Sequence, residues 1–297
     1  MQSLWMVLGA FFFACMGVCV KLASADFNNA ELVFWRGIVG IVFMGIFARS
    51  RGVTLGTRYP GMHVWRSMIG VTGLAGWFYA IAHLPLATAM TLNYMSSIWV
   101  AVFIISGALI TWTPAKGRPF AQGPLMVTVL AGFAGVVLML RPSVGEHQMF
   151  AALIGLLSGL GSAMAYMQVS ALARAGEPEE RTVFYFAVGT MVAGVLGMLL
   201  TGLSEWSWRG AIWLVPIGLL ASGGQLCMTR AYSQGSTLVV ANLQYSGIVF
   251  SALFGVLLFG DVIPLPGWLG MALIVGSGVL ATVLRNRAAP GSPAEDH

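Results

Sequence analysis

The chain has 297 residues, of which 58% are hydrophobic and only 8% charged, with a formal net charge of +5. Soluble domains carry about 25% charged residues, so these few charges cannot cover a soluble surface and lipid must do so. The positive balance is then no nucleic-acid footprint, and nucleic acid is excluded as a partner in favour of the bilayer.

A bilayer core about 30 Å thick needs roughly 20 apolar residues per helix. Ten segments qualify, near 3–22, 31–48, 65–83, 87–110, 124–140, 150–172, 183–202, 211–230, 237–259 and 267–284. Turn or charge signals separate most of them, among them "ADFNN", "RSRGVTLGTRYPG", "TWTPAKGRPFAQGP" and "ARAGEPEER". No Lys or Arg precedes the first segment, and its apolar run of roughly 18 residues exceeds a signal-peptide core, so it is expected to be retained despite "ASA" at 23–25. Cys15, Cys19 and Cys227 lack metal-ligand spacing, as do the four scattered histidines. They read as packing residues, and neither a metal nor a cofactor is expected. Residues 286–297 are expected to form a disordered cytoplasmic tail.

The basic residues orient the chain. With a cytoplasmic N-terminus, the inside segments hold eleven Lys and Arg, including Arg49, Arg51, Arg58, Arg66, Arg174, Arg181 and Arg230. The outside segments hold three: Lys21, Arg141 and Arg209. Arg36 lies within a span. Both termini are therefore expected to face the cytoplasm.

The fourth and ninth segments echo each other. "HLPLATAMTLNYMSSIWVAVF" at 83–103 returns as "QGSTLVVANLQYSGIVFSALF" at 234–254, which sets Asn93 over Gln244 and Tyr94 over Tyr245, 151 residues apart. Weaker echoes keep the same order, such as "VFW" at 33–35 with "VFY" at 183–185. Five spans followed by five equivalents must run in opposite directions, because an odd number of crossings reverses the chain. The expected fold is an all-α integral membrane protein of ten transmembrane helices in two inverted five-helix repeats. Inverted repeats are the architecture of many secondary transporters.

The chain resembles the drug/metabolite transporter superfamily, in particular its EamA-type members. The most specific stretch is "FSALFGVLLFGDVIPLPGWLGMALIVGSGVLA" at 250–281, a small and apolar helix, Gly-acidic, a short loop and a Gly-rich last helix. "GFAGVVLMLRP" at 132–142 is similar to the close of the first half, and "FWRG" at 34–37 resembles an early arginine of the second span. The sequence departs from the family at "NYMSS" and "QYSGI", where proline is frequent, and at "TWTPAKG", which lacks the usual glutamate. The resemblance implies EamA-like repeats at 3–142 and 150–285 around a central cavity, and outward movement of a small metabolite, often amino-acid-like. The expected setting is a bacterial-type inner membrane, and the chain would act as a monomer or homodimer.

Polar residues at membrane depth are costly unless they face the bundle interior. Asn93 and Tyr94, with Gln244 and Tyr245 in the mirrored place, are the leading candidates for substrate contact. Tyr79, Trp77, Trp99, Tyr166, Gln168 and Gln225 are further candidates; helix–helix hydrogen bonding is the alternative for the polar ones, and packing or an interfacial belt for the tryptophans. His83 and Arg36 are the candidate gating or proton-linked groups; for Arg36 the alternative is a structural pair with Glu31 or Asp26, or snorkelling outward. No Asp or Glu falls in mid-membrane. That favours a neutral, zwitterionic or anionic metabolite over a cationic drug exchanged for protons. An intramembrane enzyme would need a nucleophile with a base, and only His83 with a nearby serine offers one.

Overall fold

The computed structural model describes residues 2–110, 123–140 and 148–288, and among them every regular element is helical. In the first half these are α1 (Trp5–Ala23, after a 3-10 turn at Gln2–Leu4), α2 (Asn29–Ser50), α3 (Pro60–His83), α4 (Leu86–Tyr94), α5 (Ser96–Ile110) and α6 (Gly123–Leu140). The second half holds α7 (Met149–Arg174), α8 (Glu179–Thr201), the short α9 (Trp208–Ala211), α10 (Leu214–Gln234), α11 (Thr237–Leu243), α12 (Ser246–Phe259) and α13 (Leu265–Ala288). The tail expected from 286 is helical as far as Ala288, and 289–297 lie outside the described residues, as do the loops with Lys116, Arg118 and Arg141.

Seven stretches are long and apolar enough to cross a membrane: Gln2–Ala23, Asn29–Ser50, Leu86–Phe103, Met149–Arg174, Glu179–Thr201, Trp208–Gln234 and Thr237–Phe259. α3, α6 and α13 occupy the places of the third, fifth and tenth expected spans. Large apolar side chains point outward along these helices, with Leu200 and Leu257 well exposed. Such a surface suits hydrocarbon and not water.

Local chemistry sets the helix ends. Asn28 and Glu31 form a reciprocal capping box at the start of α2. Pro60 stands in the first turn of α3, where its missing N–H costs nothing. α3 consequently starts at residue 60, not at the expected 65. It ends where Leu84 turns extended ahead of Pro85. The carbonyls left open there are covered by Lys21, whose Nζ donates to Ile81 at 3.0 Å and Leu84 at 2.6 Å.

The fourth and ninth spans are each broken in the middle. Around Met95, Ile98 N–H bonds back to Met95 at 3.0 Å; around Gln244–Tyr245, Gly247 bonds to Gln244 at 3.1 Å and Ile248 to Tyr245 at 2.9 Å. These three-residue steps stand beside the four-residue bonds that remain, such as Trp99 N–H to the Met95 carbonyl at 3.2 Å, a tightening often found at functional hinges.

Packing follows the halves. α2 packs on α8, α6 on α13, α3 on α7, and α1 on α10. Exchanging α1 with α7, α2 with α8, α3 with α10 and α6 with α13 reproduces the same set. Glycine contacts at the α3–α7 and α1–α10 seams obey the same exchange. A Cβ on Gly161 would lie 3.3 Å from the Gly73 Cα, and one on Gly9 would lie 3.2 Å from the Gly224 oxygen. The GxxxG run at 155–159 faces inward: a Cβ on Gly159 would meet the Leu92 carbonyl at 2.8 Å, so that run seats α7 on α4.

Candidate functional site

A small cavity of about 30 Å³ lies between the halves. Phe13 of α1, Arg66, Leu74 and Trp77 of α3, and Asn93 and Tyr94 of α4 form one side. Ser162 and Tyr166 of α7, Phe186 of α8 and Gln225 of α10 form the other. Its position at the break between α4 and α5 brings the end of a half-helix to the cavity wall.

Arg66 dominates the electrostatics. It is 2% exposed, and its guanidinium carbon lies 3.6 Å from the centre of the Phe186 ring. Nη2 donates to Gln225 Oε1 at 3.1 Å, while Nε and Nη1 have no partner. Arg36, also buried, lies 5.0 Å from the same ring, and its Nε has no partner. Arginine keeps its charge in proteins. Among the described residues all four ion pairs use Glu177, Glu179 or Glu180, so neither arginine has a carboxylate. The expected partner of Arg36 is engaged elsewhere: Glu31 accepts from Asn28 N–H at 2.9 Å and from the Ser204 hydroxyl at 2.6 Å. The cavity lining contains no Asp or Glu.

Aromatic rings shape the rest. Trp77 meets Phe13 edge-on at 6.1 Å and lies 6.5 Å from Tyr94. Trp77 Nε1 and the Tyr94 hydroxyl are buried without partners. The Asn93 amide donates to Ser158 and Ser162 hydroxyls, both at 3.0 Å, so it lines the cavity and ties α4 to α7 at once.

Of the expected site residues, Asn93, Tyr94, Trp77, Tyr166 and Gln225 come together here. Gln244 stands behind the wall. Its Nε2 donates to Ser96 at 3.3 Å and Tyr166 at 3.2 Å, and its Oε1 accepts from Tyr232 at 3.3 Å. The Tyr245 ring packs over Gly132 of α6. Trp99 packs near Val100, Ala163 and Ala241. Gln168 is half-buried and absent from the lining. Tyr79 stacks on His83 at 4.1 Å, and His83 is exposed with Nδ1 against the Tyr79 carbonyl at 2.8 Å. The charge pattern sets Arg66 among the cytoplasmic residues; the structure buries it. Removing it from the eleven leaves the charge bias intact. The signal that could have found it is Pro60, which moves the start of α3 outward and places Arg66 in the second turn.

A multi-pass helical membrane protein with an internal cavity lined from both packed halves has the build of a transporter. Residues 149–283 match the EamA-like transporter family. The pseudopaline exporter of Pseudomonas aeruginosa is 33% identical over 93% of this chain and 92% of its own. A riboflavin transporter of Rhizobium johnstonii is 27% identical over 96% and 91%, and human solute carrier family 35 member G1 is 25% identical over 93% and 77%. A solved protein structure aligns with a TM-score of 0.75 over 97% of this chain and 98% of that one, at 18% identity, and so shares the fold. The chain belongs to the drug/metabolite transporter superfamily as an EamA-type transporter.

Proposed function

We propose that the protein is a secondary carrier of ten transmembrane helices in two inverted five-helix repeats, moving a small neutral, zwitterionic or anionic metabolite by alternating access. The observation that carries this is the cavity. Its walls come from both halves, it sits beside a broken helix, and it holds arginine without a carboxylate. The exchange symmetry of the packing supports the repeat, because two interchangeable halves can swap conformations and so swap the open side. The charge bias supports an inner-membrane orientation with both termini cytoplasmic. The named exporter among the relatives supports outward movement.

A proton-coupled exporter of cationic drugs fits the cavity less well. Such a device needs a buried carboxylate that holds either the proton or the drug, and the cavity lining offers Arg66 instead. The test is flux into proteoliposomes with a panel of labelled amino acids, organic acids and organic cations, with and without a pH gradient. Saturable uptake of an anion or zwitterion supports the reading. Uptake of cations alone, driven by the gradient, would refute it.

A further inference from the structure

A larger cavity, of about 280 Å³, lies at the membrane face where α1 and α8 begin and α2 and α10 end. It shares no lining residue with the first. α1 and α2 both pack on α10, so the cavity is a cleft between them with α10 as its floor. From Trp5 to Phe12 on α1, and from Gly223 to Arg230 on α10, it runs about 10 Å at about 1.5 Å per residue. Its chemistry changes along that length. Leu8, Phe12, Phe47 and Leu226 make the inner part apolar, while Arg51, Glu179, Glu180 and Arg230 stand at the mouth.

The charges at the mouth balance, which suits a zwitterion better than an anion or a cation. Glu179 is already served: it accepts from Ser233 at 3.2 Å and Gln234 at 3.0 Å, and faces Arg230 at 3.4 Å. Glu180 is not. Its side chain is 12% exposed and makes no hydrogen bond among the described residues, and Arg51 Nε stands 3.7 Å from Oε1, beyond hydrogen-bond reach. A carboxylate so enclosed is costly without donors, and the cleft that it lines can deliver them. Arg51, more than half exposed, has that one contact and is free to take an anion.

We propose that the cleft holds one phospholipid with an ethanolamine headgroup, its phosphate on Arg51, its ammonium on Glu180 and an acyl chain along Leu8, Phe12 and Phe47. The rims argue for a lipid over a soluble zwitterion. Leu8 and Ile46, beside Phe47, are exposed apolar side chains, so the cleft opens sideways into hydrocarbon. Trp5 at the mouth, with Arg230 5.1 Å from its ring, sits at the level where tryptophan marks the membrane interface. The headgroup follows from Glu180. A primary ammonium brings N–H donors, the quaternary ammonium of choline brings none, and a glycerol headgroup brings no cation. The site is independent of the carrier reading.

The experiment follows thermal melting of the full-length protein in detergent as dioleoyl phosphatidylethanolamine, phosphatidylcholine or phosphatidylglycerol is added at equal mole fraction, since a ligand that binds only the folded state raises the melting temperature. Phosphatidylethanolamine should give the largest rise. Glu180→Gln should weaken its effect about tenfold, read from the mole fraction that gives half the rise, and should not weaken the other lipids. Arg51→Gln should weaken all of them, because the phosphate is common. Equal rises with every headgroup would mean annular lipid only and would overturn the proposal, as would an undiminished phosphatidylethanolamine preference in Glu180→Gln. Phosphoethanolamine without acyl chains should have no effect at the same concentration; an effect equal to that of the lipid would assign the cleft to a soluble zwitterion instead. Should either variant fail to fold, the headgroup comparison on the wild type still decides.

Discussion

Replacing Gln244 by Leu should loosen the wall behind the cavity while leaving the cavity residues themselves in place. Gln244 is fully buried and makes three side-chain hydrogen bonds, of 3.2, 3.3 and 3.3 Å. These are long, so each is assigned the ordinary worth of a hydrogen bond between membrane helices, about 0.6 kcal/mol. Three of them give about 2 kcal/mol. The substituted Leu keeps most of the volume, so no large cavity adds to that figure. The hydroxyls of Tyr166 and Tyr232, whose rings stack at 5.3 Å, would each lose a partner. By the scaling for soluble domains, about 2 kcal/mol lowers the melting temperature by roughly 4–8 °C. The assay is thermal unfolding in detergent followed by tryptophan fluorescence, with a double-mutant cycle against Tyr166→Phe. A coupling near 0.6 kcal/mol is expected between the two sites. An unchanged melting temperature, or zero coupling, would show that the network carries no stability and that Tyr166 is held by packing alone.

Three further outcomes follow from named contacts. Glu177, in the loop between α7 and α8, is pushed up by burial but pulled down further by hydrogen bonds from Thr57, His63 and Arg181 and by the Arg181 charge, so its carboxyl titrates below the usual range. A depressed carboxylate stabilises the fold above its unfolded value, about pH 4.3, and loses that contribution as the pH falls through its folded value; Glu177→Gln should therefore flatten the acid limb of a melting-temperature profile, and an unaltered limb would refute the link. Asn28→Ala removes the capping box and the 3.0 Å bond from its amide to the Gly202 carbonyl, and a loss of about 1–2 kcal/mol is expected, read as lowered hydrogen-exchange protection over the first turn of α2. Lys21→Met uncovers the last carbonyls of α3, so exchange at the end of α3 and the start of α4 should quicken by mass spectrometry while α8 stays protected; equal change in both would mean general destabilisation.

The apolar segments, their breaks and the echo between residues 83–103 and 234–254 were legible because they depend on local chemistry and on hydropathy over one span. Proline at 85 acts within a few residues; the capping pair Asn28 and Glu31 and the tightened turns beside Asn93 and Gln244 are equally local, but the turns interrupt spans that hydropathy reads as continuous. The repeat, however, made Asn93–Tyr94 and Gln244–Tyr245 look equivalent, and the tertiary structure separates them. Tyr94 lines the cavity, whereas the Tyr245 ring is turned over Gly132 and Gln244 is held behind the wall by Tyr166, Tyr232 and Ser96. Which way a side chain leaves a broken helix depends on the neighbours it meets, and those neighbours come from helices far away in sequence. Arg66 shows the same division. Composition places an arginine near the end of a span, but only the packing of α3 against α7 and α8 puts it on Phe186, within reach of Gln225 on α10, and leaves it without a carboxylate. The sequence by itself determined a membrane-embedded helical transporter. The tertiary structure decided where its positive charge meets the cavity, because that charge is positioned by contacts between helices and not by the order of residues along one.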